Sequence, residues 1–390
     1  MHSTAKARPP MAVAALLAVL GVLFVPFSTA SAQALKEAET SAPATDDAPI
    51  RTAPRTPTLE AWVNNLGDPK VGSEKIGLGL YHHAPSSPVE SFSASFEQSL
   101  NGRSQAVTAD LTVAASNRLK LLSAAARSEL HFPSGQSRIH ARSDVVAGGI
   151  LLPLDASRRH SGEVMVQVVS KESEASVGDL ILLDEQVSAV RLIYHARSRK
   201  PSRMDRLRIG VLQSLPDATN FNVDRRTRSG LATYSKNFGT VSARYEGAYR
   251  LSATSEVFVS VGGQYAWAPI PYSFKFAYGG AGYGGAFDPD ALVGDNGASG
   301  ALELRRSVRD VGPVTVGRAY VRLDAGWVRS RTFAFAPAED RAASVGVGLK
   351  ANIAKHLSFQ VEYNRPVAKP RFARQTADRI LFEIVARTPV

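Results

Sequence analysis

The stretch Gly317–Ser330 reads GRAYVRLDAGWVRS. Ala319, Val321, Leu323, Ala325 and Trp327 fall on one register of side chains, and Arg318, Arg322 and Asp324 fall on the other. Successive side chains of an extended strand point to opposite faces, so a period of two describes a strand with one apolar and one polar surface. Gly239–Ser252 (GTVSARYEGAYRLS) repeats the pattern, setting Val241, Ala243, Tyr245, Tyr249 and Leu251 against Ser242, Arg244, Glu246, Arg250 and Ser252. His356–Arg365 (HLSFQVEYNR) sets Leu357, Phe359, Val361 and Tyr363 against Ser358, Gln360, Glu362 and Asn364. The same alternation runs through 106–116, 162–171, 188–197, 255–269, 344–353 and 379–387. Nothing at helical period competes with it, and the chain reads as all-β.

Alternation alone does not say what each face meets. In a soluble sandwich the apolar face builds a core; in a membrane barrel it meets lipid, and the polar face lines a lumen. Segments of about 9 to 13 residues exceed the usual strand and suit a tilted membrane crossing. Tyr245, Tyr249, Trp267, Trp327 and Tyr363 fall on apolar faces, several near segment ends, where the aromatic girdles of a barrel sit. A strand pattern of about 320 residues is long for one sandwich and ordinary for a barrel. The reading is a transmembrane antiparallel β-barrel of roughly 14–16 strands over residues 71–390, with outer-membrane lipid as its surroundings.

The ends and the composition support export. Lys6 and Arg8 precede an apolar run from Met11 to Phe27, and Ala30-Ser31-Ala32 has the form of a cleavage site, so residues 1–32 read as a signal peptide. Residues 33–70 read as a disordered linker rich in Ala, Thr, Asp and Pro, with Leu59–Leu66 (LEAWVNNL) as one or two turns of helix. There is no cysteine, which excludes disulfide and thiolate chemistry. The formal charge of +11 raises nucleic acid as a partner, and Arg197–Arg208 (RSRKPSRMDRLR) is the densest basic run. The other arginines are scattered and the export signal points away from nucleic acid, which leaves a solvated loop or a positively charged channel wall. His82 and His83 are adjacent and point to opposite faces of a strand, a poor chelate, so no metal is assigned. No nucleophile elbow, P-loop or H-E-x-x-H occurs, so no catalytic residue and no cofactor is assigned. Charges such as Asp324 with Arg322, or Glu246 with Arg244 and Arg250, read as lumen-wall pairs that set selectivity.

Between the alternating segments lies Gly279–Arg305, GGAGYGGAFDPDALVGDNGASGALELR. Gly280, Gly282 and Gly285 satisfy G-x-G-x-x-G, but Pro289, Gly294 and Gly297 forbid the helix that a dinucleotide site needs next. A surface loop accommodates the same glycines. The stretch also resembles the signature loop of two-partner-secretion transporters, the haemolysin activation/secretion proteins of the outer-membrane assembly and translocation superfamily. Gly279 and Gly280 match that family's glycine pair and Phe287 its aromatic; Gly294, Asp295 and Gly297 match its Gly-Asp-x-Gly, and Glu303, Leu304 and Arg305 close the following strand. Upstream, Gln264 falls on the family's glutamine, and downstream Asp324 and Gly326 match its hydrophobic-x-Asp-x-Gly strand.

The resemblance implies an outer-membrane translocator of a Gram-negative bacterium that passes a large unfolded exoprotein to the cell surface, inserted with the help of the outer-membrane assembly machinery. It also implies that the loop folds into the lumen and that a loop arginine meets the wall aspartate, Asp324. The sequence departs from the family there: its Val-Arg-Gly falls on Gly284-Gly285-Ala286, so Arg322 or Arg305 is expected to serve Asp324 instead, the loop to be less firmly anchored than in the family, and Gly285→Arg to alter single-channel conductance or its gating noise. No POTRA module is legible before the barrel, and Phe382 is the last aromatic. These departures keep a passive diffusion channel open as the alternative function, ahead of a soluble or surface β-protein that binds ligands.

Overall fold

The computed structural model describes residues 56–390 except 70–71, 85–86, 135–136, 158, 179, 223–233, 312–313, 332–338, 354–355 and 372–376. The signal-peptide expectation and most of the linker lie outside the described residues. Sixteen antiparallel strands close into one barrel. The first half is β1 (Thr58–Asn64), β2 (Lys75–His83), β3 (Val89–Ser99), β4 (Ser104–Ser116), β5 (Leu119–Ser134), β6 (Ser137–Ala156), β7 (His160–Val177), β8 (Leu180–Lys200) and β9 (Arg203–Ser214). A three-residue strand β10 (Asn220–Asn222) continues alongside β8 beyond the end of β9. The wall resumes with β11 (Gly239–Arg250) and β12 (Ser255–Ala266), whose connection to β15 (Asn296–Val311) contains a separate two-stranded ribbon, β13 (Phe276–Tyr278) and β14 (Leu292–Gly294). It ends with β16 (Val314–Arg329), β17 (Glu339–Ile353), β18 (Leu357–Ala368) and β19 (Arg379–Pro389).

β1 corrects two expectations. Leu59–Leu66 is not helical: its first residues form a strand, and the barrel begins at Thr58 rather than at residue 71. The strand is the closing stave, with Ala61 opposite both Leu78 of β2 and Ala386 of β19. Leu59, Ala61 and Val63 turn outward and Glu60, Trp62 and Asn64 inward, a period of two that is short enough to pass for a helical turn. What decides the matter is the demand for partners: without β1, the edges of β2 and β19 keep unpaired backbone groups in a hydrocarbon layer.

The outer surface is apolar over a continuous belt. On β16 Leu323 is 52% exposed while its neighbour Asp324 is 4% exposed. Leu302 and Leu304 on β15 and Val347 and Leu349 on β17 extend the same exposed band. An apolar surface of this extent on a soluble protein would drive association; on a closed barrel it is the lipid-facing girdle. β6, β7 and β8, of 20, 18 and 21 residues, outrun the bilayer. Beyond Val146 and Val168 their outward positions become Asp144 and Arg142, and Glu172 and Glu174, marking where the belt stops. The connections at one end are two to five residues long, whereas the other end carries 65–74, 215–238, 267–295 and 369–378. Both ends of the barrel chain lie on the short-turn side, the periplasmic side of such barrels.

Candidate functional site

The connection from β12 to β15, residues 267–295, lies inside the barrel. Its side chains form three apolar clusters with the inner wall. Tyr278, Ala286, Phe287 and Leu292 pack on Val328 of β16 and Ala342 of β17. Ile270 packs with Phe238, Val187, Ala189 and Leu212. Tyr272 reaches Leu130, Ile139 and Ala175 on β5, β6 and β7. Contacts on β5–β8 and on β16–β17 mean that the loop crosses the bore at its extracellular half.

Glycine lets the backbone follow this course. Gly279, Gly280 and Gly284 have φ of 131°, 84° and 80°, values that side-chain-bearing residues rarely adopt. Gly285 lies on the inward Asn364 of β18, so that a Cβ there would stand 2.5 Å from Asn364 Oδ1. Gly326 on the wall leaves the space that the Tyr278 ring occupies, and Gly297 does the same for Phe276. Gly282 has open space around it.

Asp324 is the polar centre of the docking. The Tyr278 hydroxyl donates to Asp324 Oδ1 at 2.5 Å, and Ser344 Oγ of β17 donates to the same oxygen at 2.8 Å. Burial and the nearby carboxylate push the Tyr278 phenol above its usual pKa, so it remains a donor at neutral pH. Arg322 Nε lies 3.5 Å from Asp324 Oδ2, while the two terminal nitrogens of the same guanidinium donate to the loop carbonyls of Ala281 (3.2 Å) and Gly282. Arg322 also lies 3.7 Å from Glu303. Arg305, the other candidate partner of Asp324, does not reach it: its guanidinium is 2.7 Å from Glu303 and 3.3 Å from Glu256. Register explains the difference, because Arg305 faces Tyr320 and Glu256, two same-face rows nearer the periplasm than Asp324.

Asp295 anchors the base of the loop. Its carboxylate accepts the backbone N–H of Ile270 at 3.2 Å and of Arg331 at 2.7 Å, tying the loop's start to the extracellular end of β16. Lys275 lies 3.5 Å away, and both side chains are fully buried. Burial lowers the Lys275 pKa against the opposing pull of Asp295. Gln264 donates to the carbonyls of Phe274 (3.0 Å) and Asp295 (3.3 Å), and Gly294 packs on Val328 and the Arg329 backbone.

Several residues of the site carry no sequence signal of their own. Tyr278 is the last residue of an aromatic run, and only the fold brings it to Asp324. Arg379 of β19 donates to the Phe287 carbonyl at 2.6 Å and to that of Gly67 at 2.9 Å, tying the loop to a further strand of the wall. Glu185 of β8, 1% exposed, accepts from Ser273 at 3.4 Å. Among the described residues no group of three His, Cys, Asp or Glu is arranged to hold a metal.

A closed 16-stranded outer-membrane barrel with an inward-folded loop between its eleventh and twelfth wall strands defines the class of the protein. Its fold is shared with CdiB from Escherichia coli, at a TM-score of 0.72 and 14% identity over 85% of this chain and 63% of that one. CdiB from Acinetobacter baumannii gives 0.66 and 15% over 85% and 60%. BamA from Haemophilus ducreyi lacking POTRA domains 1–3 gives 0.59 and 13% over 86% and 70%. The chain therefore spans less than two thirds of the two CdiB structures. No protein-family model and no curated protein matches the sequence.

Proposed function

We propose that the protein is an outer-membrane translocator that carries an unfolded polypeptide to the cell surface, with the 267–295 loop as the element that closes and opens the bore. The observation that carries the reading is the loop's mode of attachment. It crosses the lumen, yet it is held by apolar packing and a handful of polar contacts, centred on Tyr278, Asp324 and Arg322, rather than by a covalent tie. Contacts of that number fix a loop and still let it go when a competing chain offers replacements. The likeness in fold to CdiB and BamA supports the same reading. The cargo is a large secreted exoprotein whose folding outside supplies the driving force, and insertion of the barrel relies on the outer-membrane assembly machinery.

Co-expression with candidate exported proteins tests this. Surface appearance of one of them must depend on the intact chain and must stop when the chain is deleted. If no polypeptide reaches the surface while small solutes pass freely, the protein is a diffusion channel instead.

A further inference from the structure

We infer that the outer face of β16, β17 and β18, at their extracellular ends, binds a lipid that carries phosphate on its headgroup, the lipopolysaccharide of the outer leaflet. The inference rests on the membrane position of the barrel and is independent of what passes through the bore. On β16 the outward register runs Leu323, Ala325, Trp327 and Arg329 toward the extracellular end. Strand pairing carries that face across the next two strands. Trp327 opposes Arg341 of β17, Arg329 opposes Glu339, and Val345, two same-face rows nearer the periplasm than Arg341, opposes Arg365 of β18. Directly opposed residues of paired strands share a face, and Arg329, Arg341 and Arg365 are all exposed. Arg365 follows Asn364, whose partner Arg379 is the first residue of β19, so it too stands where its ladder ends on the extracellular side. Toward the periplasm the same face continues as the apolar belt, through Leu323, Val321 and Val347.

Cations outnumber carboxylates on this face. Glu339 lies 3.7 Å from Arg329, but both side chains are more than half exposed, so water screens the pair. Among the described residues no carboxylate pairs with Arg341 or Arg365. Arg331, just beyond β16, donates to the Trp267 carbonyl at 2.8 Å and lies 5.8 Å from the ring centre of Tyr265. The flanking connections 330–338 and 369–378 hold Arg331, Lys369, Arg371 and Arg374 against a single carboxylate, Asp378. That carboxylate accepts the Tyr363 hydroxyl, and Asp340, opposite the inward Val328, accepts the backbone N–H of Arg371 at 3.1 Å. The far wall has the opposite character. There Arg127 and Arg142 both bind Asp144, at 2.6 and 2.7 Å, and Glu172, Glu174 and Asp184 share the outward face. Position at the membrane surface therefore does not by itself account for the cations of β16–β18.

Phosphate fits this face. A guanidinium holds two phosphate oxygens through its planar fork, and its stem lies along apolar surface while the head stays in the polar layer. Tyr265, Trp267, Trp327 and Tyr363 are 56, 42, 39 and 40% exposed and set aromatic rings on the same outer surface, as at a membrane–water interface. Arg341 and Arg365 are two same-face rows apart, about 13 Å along the strands. That separation suits phosphates at the two ends of a sugar headgroup better than the single phosphodiester of a glycerol lipid. The acyl chains then lie on Leu323, Val321 and Val347.

The test uses the full chain in detergent micelles, titrated with lipid A, the phosphorylated anchor of lipopolysaccharide, and with the same lipid stripped of its phosphates. Bound lipid is read by native mass spectrometry. The phosphorylated lipid is retained and the stripped one is not. Arg341→Gln with Arg365→Gln weakens retention about tenfold, the sum of two exposed charge contacts. Arg341→Lys with Arg365→Lys weakens it less, because the charge stays and only the fork is lost. Arg203→Gln removes an outward arginine at the periplasmic end, where it pairs with Asp205, and leaves retention unchanged. Equal retention of the two lipids overturns the inference, as does displacement of lipid A by phosphatidylglycerol or inorganic phosphate at matched concentration. So does a chain indifferent to R341Q/R365Q, or one that loses as much through R203Q. The comparison of the two lipids needs only the parent chain, so it decides the matter even where the double variant fails to fold.

Discussion

Tyr278 and Asp324 are 46 residues apart in the chain, and their oxygens are 2.5 Å apart in the lumen. The phenol stands in for a loop cation: it delivers a hydrogen bond to the wall carboxylate, while the cation that accompanies it, Arg322, belongs to the wall and donates to the loop backbone. The docking thus reads in both directions across the same seam.

Tyr278→Phe removes that bond and leaves the ring in place. A hydrogen bond to a charged group contributes roughly 1.5–3 kcal/mol, and the loss falls on loop docking rather than on the barrel. Single-channel recordings should show more frequent openings, with an unchanged heat-modifiable band on gels. A quiet trace identical to that of the parent protein would count against Asp324 as the anchor.

Arg322→Lys keeps the charge but loses the planar fork that reaches Asp324 on one edge and two carbonyls on the other. Its effect on channel openings should match that of Arg322→Gln more closely than that of the parent. Combined with Tyr278→Phe, the two changes should be non-additive, because both act on one contact network. Simple additivity would place the two residues in separate functions.

Gly285→Arg, which by family resemblance ought to restore a loop arginine, has no room: Asn364 stands where even a Cβ would go. Gly326→Ala meets the Tyr278 ring in the same way. Overpacking of this kind costs roughly 1–3 kcal/mol, and both substitutions should expel the loop, seen as faster proteolysis within 267–295. A Gly285→Arg protein with a loop as protected as the parent's would show that the space beside Asn364 opens easily.

Loop docking should strengthen as pH rises toward the ordinary lysine range. Lys275 is buried with its pKa lowered, so between that lowered value and about 10.4 the released loop binds more protons than the docked one. The cost of burying the ammonium is present below that window and relieved through it. Protection of the loop from proteolysis should increase over this interval, and Lys275→Met should abolish the dependence. A dependence of opposite sign would mean that the attraction to Asp295 outweighs desolvation.

Ala61→Pro should prevent assembly. Ala61 lies in register with Ala386 on one side and Leu78 on the other, so a missing N–H and a fixed ring break the ladder at the seam where the barrel closes. Loss of the heat-modifiable outer-membrane band is the expected result; a normally inserted barrel would show that β1 is dispensable.

The strand class, the two faces of each strand and the identity of the loop were legible in the sequence, because parity is local: Leu323 and Asp324 are assigned to opposite faces by their numbers alone. The glycines, Asp295 and Asp324 were legible through family likeness. β1 was not, since seven residues of weak alternation become a strand only when β2 and β19 demand a partner. The choice of Arg322 over Arg305 and the entry of Tyr278 as donor depend on which segments the closed sheet brings together. Composition and period determine which side chains share a face. Only closure of the sheet decides which faces meet, because register is a property of pairs of strands and not of any one of them.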